Sequence, residues 1–112
     1  RYAMTYPHRG VNPAEPLDLL TCPPLTFAKP DRDAFPCLRL AEEAATEGGT
    51  ACAILNGANE AAVALFLEGK IGFLDIADRV RRAMEQVKVI ADPSMTQVLE
   101  ADAAAREAVL SV

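Results

Sequence analysis

The sequence offers little with which to do chemistry. Histidine occurs once, as His8, in a proline-rich stretch. A Ser-His-Asp triad or a histidine-based metal site therefore lacks its partners, and His8 is read as a surface or inter-domain contact. Cysteine occurs three times, as Cys22, Cys37 and Cys52. An odd count without CxxC spacing argues against a disulfide framework and a zinc site. Each is expected to behave as a small buried hydrophobe, in the cytosol as the default compartment. No GxGxxG or GxxxxGKS segment is present to cradle a phosphate. The net charge is −5, and the basic residues are scattered without interleaved aromatics, which argues against nucleic-acid binding. The longest apolar run, residues 61–67, is far short of the roughly 20 residues that span a bilayer. Residues 1–10 contain no apolar core of a signal peptide. The chain begins at Arg1 rather than methionine, so the expectation is a fragment of a longer polypeptide.

What is present divides into a leader and a helical part. Seven of the eight prolines fall in residues 1–36, which excludes a long helix or central strand there. Residues 1–6 read as the end of an element, and Leu25–Phe27 as a short edge strand. Leu17, Leu19, Leu20, Leu25 and Phe27 need a surface to cover them, either another domain or a partner chain. From Asp33 the pattern turns helical. Residues 37–47 separate into apolar and charged faces, with Asp33 as a cap, Pro36 in the first turn and Gly48-Gly49 as a left-handed stop. Thr50–Leu55 either begins the next helix or forms a separate turn. Asn56 or Asn59 is the expected N-cap of a helix running to about Glu68. Residues 61–67 (AAVALFL) are apolar on every side, which predicts a central helix buried all round. A third helix is capped by Asp75, with Ile76, Val80, Ala83, Met84 and Val87 inward and Arg79, Arg81 and Arg82 on a solvated face. Ser94 and Gln97 form a capping box, opening a helix that is either re-capped at Asp102 or continuous. The fold class is all-α: a small antiparallel bundle of four to five helices after an extended proline-rich leader. Asn56, Asn59 and Glu60 are the best candidates for a functional cluster, although a helix start satisfied by its own side chains is the preferred reading.

The order and spacing of YAMTYPHRG, PLDLL, LTFAKPDRDAFPCLRLAEEA, AILNGANEAAVALFLEGKIGFLDI and VLEADAAARE resemble the C-terminal end of 1-deoxy-D-xylulose 5-phosphate reductoisomerases. The resemblance covers nearly the whole chain. One departure is Gly57, where the family usually has alanine; it is read as extra backbone freedom at a helix start. The resemblance implies a parent enzyme of the methylerythritol phosphate route to isoprenoids. That enzyme has an NADPH-binding domain, a catalytic domain with a divalent metal (magnesium or manganese) and a C-terminal helical bundle. It also implies a homodimer, in the bacterial cytoplasm or the plastid, with no nucleic-acid or membrane partner. Residues 1–10 would end the catalytic domain, 11–32 would be the linker and 33–112 the bundle. The family's metal-binding and phosphate-binding residues have no counterpart in this chain, so no catalytic, cofactor-binding or metal residue is assigned. The role expected is structural support of the catalytic domain, without activity in isolation. The rival reading is a free-standing helical interaction module that docks a partner through its arginine-bearing helix or its leader.

Overall fold

A computed structural model describes residues 2–111. They form five helices and no strand: α1 (Tyr2–Thr5), α2 (Pro36–Glu47), α3 (Ala51–Leu67), α4 (Asp75–Gln86) and α5 (Met95–Leu110). The all-α expectation is met. The first helix is a single turn within the leader, and α2–α5 make the bundle. The radius of gyration is 19.6 Å, well above the roughly 13 Å of a compact chain this long, because the leader extends away from the helices. The leader's Leu17, Leu19, Leu20, Leu25 and Phe27 are all exposed. Residues 25–27 form no ladder with any described residue. A strand needs a partner edge, and no other described residue is in a strand or bridge to supply one.

The leader ends in a turn, not a cap at Asp33. Asp31 Oδ1 accepts from the amides of Asp33 and Ala34, at 3.1 and 2.9 Å. Helix α2 then starts at Pro36 after Phe35. It stops at Gly48 and Gly49, both with positive φ, at 75° and 56°, as the paired glycines predict. Gly49 is fixed by space as well as by φ, since a Cβ there would lie 2.2 Å from the Ile90 carbonyl oxygen.

The structure settles where α3 begins, and it is neither Asn56 nor Asn59. The helix runs unbroken from Ala51 through both asparagines and Gly57. Tertiary contact overrides the weak helix propensity of these residues. Ala51, Ile54, Ala58, Ala61 and Ala62 form one buried stripe, and α3 touches each of α2, α4 and α5, most extensively α5. Alanine dominates both sides of that contact, with Ala101, Ala105 and Val109 facing from α5. Gly57 belongs to the same contact. A Cβ there would sit 2.8 Å from the Asp102 carbonyl oxygen, so glycine is a condition of the close helix approach and not a source of freedom at a helix start.

Residues 61–67 are not buried all round. Ala61 and Ala62 are buried, Val63 and Leu65 half-buried, and Phe66 and Leu67 exposed at 36% and 77%. The partner helices cover one side of α3 only. In α4, Ile76, Val80 and Ala83 are buried as predicted, with Met84 and Val87 half-buried. Leu74, rather than Asp75, precedes the helix; Asp75 Oδ2 instead accepts from the Gly72 amide at 2.8 Å. Arg79 leaves the solvated face and donates through Nη1 to the Val109 carbonyl at 2.7 Å, one of the last carbonyls of α5, which have no acceptor role within the helix. The Ser94–Gln97 capping box forms with both reciprocal bonds. Of the two readings beyond it, the continuous helix holds. Asp102 does not re-cap it but pairs with Arg106 one turn on.

Thr50 ties the two loops between helices together. It is the buried polar residue of the core, fully inaccessible. Its amide donates to the Ile90 carbonyl and its Oγ1 accepts from the Ile90 amide, both at 3.0 Å.

Candidate functional site

The candidate cluster separates into two faces of α3. Glu60 points toward α5. There the Arg106 guanidinium donates to Glu60 and to Asp102, with Nε to Asp102 Oδ2 at 2.8 Å. The two carboxylates hold the Arg106 proton well above its ordinary affinity, Asp102 contributing most. This is a stitch between helices, because both acceptors are already occupied by one cation.

Asn56 and Asn59 point the other way. With Val63 and Phe66 they follow a helical spacing of three, four and three, so they share one face of α3. That face is the floor of a half-open groove of about 470 Å³ between α2, α3 and α4, lined by Phe35, Pro36, Cys37, Asn59, Val63 and Phe73, among others. A neighbouring hollow continues the floor past Asn56 and Cys52. Both asparagines are exposed, and neither caps a helix. The preferred reading of a self-satisfied helix start is therefore corrected: the bland explanation fails because these amides lie mid-helix. The groove's lips are Phe35, Phe73 and Leu74, exposed at 65%, 69% and 80%. Phe66 meets Phe73 edge to face, with ring centroids 5.7 Å apart. The spacing of Asn56, Asn59 and Val63 alone could have placed them on one face, but nothing in the sequence identified Phe35 as their neighbour.

The cysteines are less buried than expected. Cys22 and Cys37 are half-buried, Cys52 is exposed, and all three are free thiols. Cys37 borders the groove, and burial raises its pKa, so it is a weak nucleophile there. Cys52 lies on the side of α3 that faces α2, its Sγ donating to the Ala44 carbonyl oxygen at 3.6 Å. His8 is exposed in the turn after α1, its amide donating to the Thr5 carbonyl at 2.8 Å. Among the described residues no group of three or more His, Cys, Asp or Glu side chains is placed to hold a metal ion. The residues here do not fit a divalent metal, and no helix is long and apolar enough to cross a membrane. What the arrangement offers is a surface: apolar lips and a floor of mixed character that carries Asn59 and Val63.

Comparison with known proteins accounts for that. Residues 1–108 match the family described as the DXP reductoisomerase C-terminal domain. A 1-deoxy-D-xylulose 5-phosphate reductoisomerase of a Synechococcus strain is 50% identical over 94% of this chain and 27% of its own length. The Pseudomonas aeruginosa protein of that name is 49% identical over 94% of this chain and 26% of its own. Among solved structures, the Zymomonas mobilis reductoisomerase in complex with NADPH superposes with a TM-score of 0.83, at 38% identity, over 98% of this chain and 29% of that one. A reductoisomerase in complex with magnesium gives 0.81, at 35% identity, over 98% and 30%. The chain thus spans little more than a quarter of the relatives it matches. With residues 1–108 matched and the structural likeness extending over 98% of the chain, this chain belongs to the DXP reductoisomerase C-terminal domain family.

Proposed function

We propose that the chain is the C-terminal helical domain of an enzyme that rearranges and reduces 1-deoxy-D-xylulose 5-phosphate to 2-C-methyl-D-erythritol 4-phosphate. NADPH is the reductant and magnesium or manganese the metal, both bound by residues outside this chain. The enzyme opens the methylerythritol phosphate route to isoprenoids, works as a homodimer, and resides in the bacterial cytoplasm or the plastid. Residues 1–10 end its catalytic domain, 11–32 link, and 33–112 form the bundle. No residue of this chain is a catalytic, cofactor or metal ligand. The domain's work is structural, holding the catalytic domain and forming one wall of its cleft.

The observation that carries this reading is the match to long reductoisomerases, at 46–50% identity along nearly the whole chain. The leader's row of exposed leucines adds to it, because an apolar strap of this kind needs a covering surface outside the chain. The rival reading, a free-standing interaction module, gains no observation of its own. The test assays the full-length gene product for NADPH oxidation with 1-deoxy-D-xylulose 5-phosphate and magnesium, and titrates the 112-residue chain with NADPH and with manganese. Turnover by the full-length protein and no binding by the chain are expected. Micromolar binding of either ligand to the chain sinks the structural role; an inactive full-length protein sinks the assignment.

A further inference from the structure

The geometry points to the groove between α2, α3 and α4 as the seat of a main-chain segment from upstream in the same polypeptide. That segment lies across Asn59 and Val63, with its apolar side chains against Phe35, Phe73 and Leu74. This rests on the reading of the chain as the C-terminal domain of a longer enzyme, and it names the face by which that domain is held.

Three observations converge. Helix α3 is apolar on every side over residues 61–67, the pattern of a helix buried all round, yet the bundle covers one side only. Leu67 at the end of α3 remains 77% exposed, and Phe73 and Leu74, which line the groove, 69% and 80%. The second observation is where the rest of the polypeptide lies. The chain covers 26–30% of its relatives and matches a C-terminal domain, so the remainder precedes it. The leader joins the bundle at residues 33–35, and these same residues line the groove. Whatever lies upstream is therefore tethered to the groove's lip through the leader, at an effective concentration that a separate protein would not reach.

The third observation is chemical. The amides of Asn59 in the groove and Asn56 in the adjoining hollow stand exposed beside the apolar side chains, each with the donor and acceptor pair that matches a peptide N–H and C=O. A purely apolar contact has no use for them, whereas an extended main chain satisfies both.

The experiment places Leu74→Cys in the full-length gene product. It measures iodoacetamide alkylation of that thiol by peptide mass spectrometry, native against urea-unfolded, with Phe73→Cys as the second probe. An occupied groove slows native alkylation by about tenfold or more relative to the unfolded protein. In the 112-residue chain both thiols react near the unfolded rate. Fast alkylation in the native full-length protein overturns the proposal. So does protection in the 112-residue chain, which means the leader itself fills the groove, and so does protection that disappears on dilution, which means a second copy does. Turnover of the unmodified full-length protein judges the parent reading separately: an active enzyme with an open groove refutes the docking face alone.

Discussion

Thr50→Val isolates one hydroxyl in a fully buried setting. Thr50 joins the end of the α2–α3 loop to Ile90, giving one backbone bond and accepting one side-chain bond at 3.0 Å each. Valine keeps the β-branched shape and the backbone bond but deletes the acceptor. The Ile90 amide then loses its partner in a half-buried position, which costs about 1–3 kcal/mol. The methyl that replaces the hydroxyl returns somewhat under about 1 kcal/mol of burial. The net expectation is a loss of about 1–2 kcal/mol, or roughly 5–15 °C in melting temperature for a domain of this size. Thr50→Ser keeps the hydroxyl and loses a buried methyl, at about 1 kcal/mol, so melting alone does not separate the two causes. Amide exchange at Ile90 does. It accelerates about tenfold in Thr50→Val, since about 1.4 kcal/mol corresponds to a factor of ten, and more than the other slow amides of the bundle do, whereas in Thr50→Ser it accelerates only as much as those amides. An unchanged Ile90 exchange rate in Thr50→Val, or a stability loss below about 0.5 kcal/mol, refutes the clamp.

The other expectations are independent of it. Phe66→Ala costs about 1–2 kcal/mol, less than the 3–5 of a fully buried phenylalanine, because the ring is 36% exposed; chemical denaturation measures it, and a loss above about 3 means α3 is covered on that side in the chain itself. Asn59→Ala raises the stability of the 112-residue chain by about 0.5 kcal/mol, the helix-propensity gain at an exposed mid-helix position; a loss of about 1 kcal/mol restores an N-cap role. Gly49→Ala is strongly destabilising, at about 2–5 kcal/mol from a left-handed φ and a clash with the Ile90 carbonyl, and a melting temperature near the parent's contradicts the geometry. Arg32 holds the Glu42 carboxyl below its ordinary pKa through a two-pronged hydrogen bond at 2.7 and 2.9 Å. A depressed folded pKa means that the pair's contribution is present above the unfolded value near 4.3, and is lost as pH falls through the lower folded value. An NMR titration of Glu42 reads this directly, and a midpoint at or above the unfolded value removes the pair.

Much of the fold was legible because its signals are local. Gly48-Gly49, the Ser94–Gln97 box and the Ile76–Val80–Ala83 stripe each act within a few residues, and each appears as read. Asn56 and Asn59 misled because their capping preference is also local, whereas the burial of Ile54, Ala58 and Ala62 against α4 and α5 is not. The same limit applies to Arg79, whose acceptor on α5 is thirty positions away, and to Glu60, whose Arg106 is farther still. Phe66 and Leu67 went wrong in the opposite direction: their apolarity is real, but the surface that matches it is absent from the four-helix bundle.

The sequence by itself determined the all-α class, the extended leader, most helix ends and the family, because periodicity, breakers and ordered motifs are properties of the chain read along its length. Only the tertiary structure decided that α3 starts at Ala51, that Gly57 is a contact point for α5, and that the asparagines lie on the floor of an open groove. Those facts depend on which helices meet and which side stays bare, and no residue carries that information until its neighbours in space are known.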